Sequence, residues 1–313
     1  MSSSDTINKS LDYSVIVPVY NSEASLEELV AGIREVFGNL NKSFEIILVD
    51  DHSSDRSWEV IRAIKAMHPG LVRGIALSKN FGQHNATFCG MSFASGAFII
   101  TIDDDLQTPP AEIPRLIGAM EESGSDLVYG IYRRKSHSAL RNAGSRSLKS
   151  TSKALHDGPG DGSSFRLIKA SLVNKILHHQ QHFLFLDEIF HWYTDEVAFA
   201  GVVHLPRKYK QSGYSFARLV KLFANLVLYY TMLPLKFLVY GGFFISLLTF
   251  IYGLFFIFKK IVYDVPLGYT SLIVAILFST SIILFSLGVL GEYLSRIYQI
   301  QNRKPPFSVK KVI

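Results

Sequence analysis

The chain is predicted to be an α/β protein built on a mostly parallel, Rossmann-type sheet, followed by membrane-seeking helices. Three observations predict this. Short β-branched runs alternate with helical patterns through the first half, acidic clusters close two of the predicted strands, and nearly all the excess apolar content lies after Leu222. The 313 residues are 48% hydrophobic with mean hydropathy +0.22, slightly greasier than an ordinary soluble enzyme.

Taken in order, strands are expected at 13–19, 44–50, 72–77, 98–102 and 126–131, with helices between them. The first helix is introduced by Ser25 with Glu28 three residues on, which reads as a capping box, and continues with Leu26, Leu29, Val30 and Ile33 at helical spacing. Pro109 and Pro110 stand where the helix carrying Ile113, Leu116 and Ile117 should begin, and proline is tolerated in that first turn. Residues 136–164, rich in Ser, Gly, Lys and Arg, read as a loop with a short helix around Leu148.

Two stretches then exceed the roughly 20 apolar residues that span a bilayer. Residues 237–258 are uncharged for about 22 positions and 265–291 for about 27, so the expectation is a transmembrane hairpin joined by a short linker. Basic residues flank it on both outer sides (Arg207, Lys208, Lys210, Arg218 and Lys221 before; Arg296, Arg303, Lys304, Lys310 and Lys311 after), which places both flanks and the sheet domain on the cytoplasmic side. Residues 215–235 carry one polar and one apolar face and read as an interfacial amphipathic helix. The expected organisation is therefore a sheet domain (1–214), an amphipathic helix (215–235), a transmembrane hairpin (236–293) and a basic tail (294–313).

The charge of +6 and pI near 9.2 are distributed around the apolar region, without a stripe of interleaved stacking aromatics, so a membrane surface is favoured over nucleic acid. A single cysteine, Cys89, excludes an internal disulfide and reads as core filler. The opening MSSSDTINKSLDY has no apolar stretch of export-signal type, so the first domain is expected to stay in the cytoplasm. His178, His179 and His182 lack an acidic partner in register and read as a polar helix face.

The chemistry is expected where acids meet strand ends. In open parallel sheets ligands bind beyond the carboxyl ends of the strands, and there Asp50-Asp51 closes the second strand while Asp103-Asp104-Asp105 closes the fourth. Mutual repulsion among three consecutive carboxylates calls for a cation, and Asp103 and Asp105 can both reach one divalent ion if the chain turns. The chain lacks a G-x-x-x-x-G-K-[ST] loop, a G-x-G-x-x-G after the first strand and an EF-hand glycine with distal glutamate, so magnesium or manganese bridged to a diphosphate fits better than an ATPase, dinucleotide or calcium site.

The ordered set SVIVPVYN, ILVDDHSSD, SKNFGQHNAT, IDDDLQTPP, SSFRLI and PRKYKQSGYS, followed by the apolar hairpin, resembles the polyprenyl-phosphate glycosyltransferases of family 2 along nearly the whole chain. The resemblance implies a GT-A-like domain that transfers a sugar, with inversion, from a nucleotide diphosphate (uridine diphosphate by default) to a membrane polyprenyl phosphate in the cytoplasmic membrane. It implies that Pro18, Tyr20 and Asn21 lie beside the nucleotide, with Asp50 and Asp51 near base and ribose and Asp104 on the same donor side. Asp103 and Asp105 form the D-x-D element, with Asp105 favoured as the direct metal ligand, and Gln107 stands close to the diphosphate or acceptor. Arg166 and Arg207 resemble diphosphate or acceptor-phosphate partners. Arg133, Arg141 and Arg146 are assigned to the acceptor phosphate because two anionic substrates need compensating cations.

Two departures stand out: many relatives read GDFR where this chain has Ser163-Ser164-Phe165-Arg166, and Lys210 occupies the glycine of PR-x-x-G-x-S. A phosphate monoester acceptor is substantially dianionic at neutral pH, so no strong general base is required. The rival readings are a transferase to another lipid acceptor and a non-catalytic, membrane-tethered nucleotide-binding scaffold. A processive polysaccharide synthase is disfavoured because Q-x-x-R-W is missing. Glycines 241, 242, 288 and 291 would let helices approach closely, as a homo-oligomer would use.

Overall fold

A computed structural model describes residues 11–132, 163–178, 185–206, 208, 268–301 and 305–313, with scattered positions between 240 and 262. The chain divides into two units, Met1–Gly213 with Pro305–Ile313, and Tyr214–Lys304.

The first unit is organised by strands whose apolar runs are too continuous for a half-solvated sheet. In β1 (Tyr13–Val19) all seven residues are buried, and β2 (Phe44–Asp50) buries all but its first, as strands covered on both faces must. With β3 (Val72–Leu77) and β4 (Phe98–Thr101) they form a parallel core in the order β4-β1-β2-β3. Beyond β4 come β5 (Leu127–Tyr132), β6 (Arg166–Lys169) and β7 (Val197–Val202), and beyond β3 comes β8 (Val309–Val312). The full order is β7-β5-β6-β4-β1-β2-β3-β8, with β6 antiparallel to both neighbours and β8 antiparallel to β3.

Helices cover the sheet. α1 (Leu26–Leu40) turns Leu26, Leu29, Val30, Ile33 and Phe37 onto it and stops where Asn41 goes left-handed at φ 52°. Each such fully buried aliphatic side chain contributes about 1.5–3 kcal/mol of transfer free energy. α2 (Ser57–Met67) and α3 (Gln83–Ser92) follow β2 and β3. α4 (Ile113–Ser123) is introduced by a 3-10 turn at Pro110–Glu112 and closed by Gly124 at φ 65°, whose N–H donates to Met120 O. Shorter helices, Ala170–Ile176 and Leu186–Tyr193, follow β6 and precede β7.

The first four strands lie where the apolar runs placed them, except that β4 ends one residue early, and β5 is shifted on by one. The capping box is corrected. Ser25 makes no side-chain cap; its Oγ donates to Ser22 O and to Asp104 O, and Glu28 takes the Lys208 ammonium at 2.8 Å. The acidic loop after β4 competes for the serine hydroxyl and wins it. The end of the expected basic tail is also different, because Val309–Val312 pairs with β3 as an edge strand. Cys89 is fully buried and its thiol is pushed up to about 12 by desolvation, as core filler should be. His178 is exposed just beyond the helix Ala170–Ile176, while His179, His182 and the loop 136–162 lie outside the described residues.

In the second unit the helix Tyr269–Gln301 has 33 residues, about 50 Å at 1.5 Å per residue. Its segment Phe278–Ser295 has mean hydropathy 1.4 and is unburied, so among the described residues one helix is long and apolar enough to cross a membrane. The described positions from 240 to 262 are helical as well.

α3 sits tightly on the sheet at Gly90, where an added Cβ would overlap Ile16 Cγ2 and meet Val49 Cγ2 at 3.2 Å. Gly90→Ala is expected to lower stability by about 1–3 kcal/mol despite alanine's better helix propensity. Urea unfolding checks this, and an unchanged midpoint contradicts it.

Candidate active site

The strand order reverses between β1 and β4, so their carboxyl ends open a crevice of the kind that binds ligands in open α/β sheets. Three residues just past adjacent strand ends are left-handed: Asn21 (φ 51°) after β1, His52 (φ 60°) after β2 and Leu106 (φ 59°) after β4. Asparagine tolerates that region, whereas leucine adopts it at a cost of about 1–2 kcal/mol. The chain therefore turns sharply at three neighbouring exits, and the acidic groups are fixed by those turns.

The three consecutive aspartates have separate tasks. Asp104 reaches across the crevice to the β1 exit, where its carboxylate accepts from Tyr20 N at 2.9 Å and from Ser22 Oγ. Asp103 accepts from Gln83 Nε2 and from Ser164 Oγ, both at 2.6 Å. Burial first, and the charges of Asp105 and Asp104 second, push its carboxyl up to about 6, although the Ser164 hydrogen bond pulls the other way. Asp105 accepts from Gln107 N at 3.1 Å and borders a cavity of about 220 Å³ with Asn21, Ser25 and Asp55.

On the β2 side, Asp51 is buried and its carboxylate holds the next loop by accepting from Phe81 N (2.7 Å) and Gly82 N (2.8 Å). Desolvation still outweighs those bonds and raises it to about 6. Burial also raises Asp50, which accepts from Ser53 N at 3.2 Å. Asn21 joins the β1 and β2 exits: its N–H donates to Ser53 Oγ at 3.0 Å and its Oδ1 accepts from Ser54 N at 2.7 Å. Pro18 is buried within β1, opposite Val49, and Tyr20 is 46% exposed at the crevice.

Asp103 also borders a second cavity, of about 190 Å³, that sequence reasoning missed in large part. Its wall is Arg166, 3% exposed, which pairs with Asp187 Oδ1 at 2.8 Å and lies over the Tyr129 and Phe190 rings. Tyr129 Oη donates to the same carboxylate oxygen at 3.0 Å, and among the described residues Arg166 Nε finds no acceptor. Opposite stand Gln83, His84 and Thr87 of α3. Burial lowers His84 to about 4, so it is a neutral imidazole at pH 7.

The serine that departs from GDFR explains itself here. Ser164 supplies a hydroxyl donor to Asp103, where an aspartate would add a further negative charge beside a carboxylate already crowded by its neighbours. Gln83 and His84 lay inside the quoted SKNFGQHNAT, but nothing in that string signalled that α3 would point them at the acidic loop. Asp187 lay in a segment with no strand or motif to anchor it.

Gln107 bonds with the segment leaving β7: its Nε2 donates to Leu205 O at 3.3 Å and lies 3.1 Å from His204 Nε2, and its carbonyl accepts from Leu205 N at 2.7 Å. That segment leads to Arg207. Arg133, Arg141, Arg146, Arg207 and Lys210 lie outside the described residues. Among the described residues no three His, Cys, Asp or Glu side chains converge as a metal cage. The carboxylates of Asp103 and Asp105 are hard oxygen groups at the acidic loop, a partial set that fits a cation completing its shell with ligand oxygens and water.

A parallel core that reverses order beside an acidic loop, with an antiparallel strand on its far side, agrees with the GT-A-like α/β fold that the motifs implied. The chain belongs to glycosyl transferase family 2, which it matches over residues 14–180, and residues 233–297 match the GtrB C-terminal hairpin. It is a glycosyltransferase. It is 34% identical, over 96% of its length and 90% of the relative's, to undecaprenyl-phosphate 4-deoxy-4-formamido-L-arabinose transferase of Pseudomonas aeruginosa. The transferase of the same description from Shewanella sediminis is 33% identical over 98% of this chain and 94% of that one. Among solved structures, glucosyl-3-phosphoglycerate synthase from Mycobacterium tuberculosis with Mn2+ and uridine-diphosphate-glucose is similar at TM-score 0.48 and 19% identity, covering 70% of this chain and 77% of that one.

Because Asp103 is raised from 3.8 to about 6, the folded protein holds more protons than the unfolded chain between those values. Its contribution to stability is thus full below about pH 4 and is lost as pH rises through about 6. In urea titrations without divalent cations, the wild type is expected to lose stability relative to Asp103→Asn between pH 4 and 7. A difference that is flat with pH contradicts the assigned environment.

Proposed function

We propose that the protein moves a sugar from a nucleotide diphosphate, with uridine diphosphate as the nucleotide, to a membrane polyprenyl phosphate, inverting the anomeric carbon, for cell-envelope glycan modification. The observation that carries this reading is the crowded acidic loop at the crevice of a chain similar over nearly its whole length to undecaprenyl-phosphate sugar transferases. The relatives' names make 4-deoxy-4-formamido-L-arabinose the first sugar to test.

The nucleotide lies along the β1 and β2 exits, by Tyr20, Asn21, Asp50 and Asp51. Asp104 keeps the β1 exit in place by accepting from Tyr20 N and Ser22 Oγ. Asp103 and Asp105 would hold Mg2+ or Mn2+, which supplies charge neutralisation of the departing diphosphate. Arg166 lines the cavity beside Asp103, where its Nε–H, without an acceptor among the described residues, offers a donor to an oxygen of the sugar. Gln107 fixes the segment that leads to Arg207, which together with Arg133, Arg141 and Arg146 takes the acceptor phosphate. The dianionic acceptor attacks without a general base from the protein.

The apolar helix, the helical positions at 240–262 and the matched hairpin support two transmembrane helices, and the polar and apolar faces in the sequence of 215–235 favour an interfacial amphipathic helix before them. The basic flanks support a multi-pass protein of the cytoplasmic membrane with its catalytic domain on the cytoplasmic side.

Membranes carrying the protein, incubated with labelled nucleotide sugars and polyprenyl phosphate, are expected to form a labelled lipid. Chelator or Asp105→Ala is expected to reduce the rate on the order of 100-fold or more. Full-speed transfer under both conditions removes the metal assignment, and no lipid product with any nucleotide sugar removes the reading. His84→Phe, which fills the cavity beside Asp103, is expected to depress sugar transfer at least about tenfold while leaving uridine diphosphate affinity unchanged. Undiminished transfer shows that the sugar sits elsewhere.

A further inference from the structure

The two donor-side carboxylates, Asp51 and Asp103, are both held by one short stretch of chain. Asp51 accepts from the N–H groups of Phe81 and Gly82, and Asn80 Nδ2 donates to Asp51 O at 3.3 Å. The next residue, Gln83, donates to Asp103. The geometry of the donor crevice therefore depends on where residues 78–83 lie.

The entry to that stretch is fixed from the far end of the sequence. Ser78 N donates to Ser308 O at 2.8 Å, and Ser78 Oγ reaches both Ser308 O and Ser308 Oγ at 3.1 Å, across 230 residues. β8 continues the clamp along β3, pairing Leu77 with Val309, Ala76 with Lys311 and Ile75 with Val312. Gly74 and Ile313 exchange two backbone hydrogen bonds at 2.9 and 3.1 Å. Gly74 has no room for a side chain because an added Cβ would meet Ile313 Cγ1 at 2.8 Å and Ile61 Cγ2 at 2.7 Å. On α3, just past the stretch, Phe307 lies edge-on to the buried Phe88 ring with centroids 6.3 Å apart.

We infer that Phe307 and Ser308 are positioning residues for the nucleotide-sugar donor: the C-terminal strand fixes the loop 78–83, and through it Asp51 and Gln83. A mere edge strand added for stability needs neither the serine pair nor the aromatic contact, since both lie past the ladder: the serine pair holds the first residue of the donor loop, and Phe307 packs on Phe88 of α3, the helix that carries Gln83. The strand follows the apolar helix Tyr269–Gln301 after only a few residues, so the same short segment ends the membrane-associated sequence and sets the donor crevice. This inference rests on the reading that a nucleotide diphosphate sugar binds at that crevice.

The test uses full-length protein in membranes or detergent, with Phe307→Ala, Ser308→Ala and Ser308→Thr, and Lys310→Ala as a control at an exposed position of the same strand. Uridine diphosphate binding is measured by calorimetry, the KM for donor and acceptor by transfer assay, and melting temperature alongside. Phe307→Ala and Ser308→Ala are expected to weaken uridine diphosphate binding and raise the donor KM about three- to tenfold, with kcat within about twofold and acceptor KM unchanged. Ser308→Thr, which keeps the hydroxyl, and Lys310→Ala are expected to behave as wild type. Equal affinities in all variants, or parallel rises in donor and acceptor KM that follow a fall in melting temperature, overturn the inference. A wild type that binds no uridine diphosphate overturns the donor reading beneath it.

Discussion

Three adjacent carboxylates at the mouth of a crevice repel one another, and the surrounding structure is arranged around that repulsion. Each aspartate meets it differently. Asp104 turns to the β1 exit and satisfies backbone and serine donors there. Asp103 is half-buried with two donors, yet desolvation first and its neighbours' charges second raise it into the range where a proton competes with a cation. Asp105 faces the cavity shared with Asn21 and Asp55. The left-handed Leu106 is the backbone cost of sending three successive side chains to three places.

This arrangement also shows why the site needs the rest of the fold. The donors to Asp103 come from α3 and from the residue two places before β6, elements 20 and 61 residues away in sequence. Arg166 begins β6 and faces the cavity because β6 runs antiparallel to β4, putting Arg166 opposite Thr101 at the strand end where the acidic loop starts. A parallel strand in that place would present its other end. The pairing of Arg166 with Asp187, shared with the Tyr129 hydroxyl, holds the guanidinium under aromatic rings and leaves one N–H without an acceptor among the described residues. A buried donor left this way costs about 1–3 kcal/mol unless a ligand supplies the acceptor.

Much of the frame was legible in the sequence because its signals were local. The apolar runs of β1 to β3 gave their ends to the residue, and the acidic pair and triplet fell at the strand exits where a parallel sheet binds ligands. Ser25 and Glu28 were misread because a capping box is inferred from spacing alone, whereas the hydroxyl was claimed by Asp104 O, 79 residues on. β6, β7 and β8 escaped notice because each is short or irregularly patterned and is defined by a partner distant in the chain. Of these β8 is the clearest case: VKKV reads as a charged tail, and only β3, with Gly74 leaving space for Ile313, makes it a strand. His84 and Asp187 were hidden for the same reason, since each acquires its role from the cavity that the distant strands enclose.

We propose that a divalent cation, in place of a proton, settles the charge at Asp103. Infrared titration of the protonated-carboxyl band, assigned by its loss in Asp103→Asn, measures this directly. Without divalent ions the band should fade around pH 6, and with Mn2+ and uridine diphosphate present it should fade at clearly lower pH. A band that titrates at the same pH in both conditions would contradict the claim.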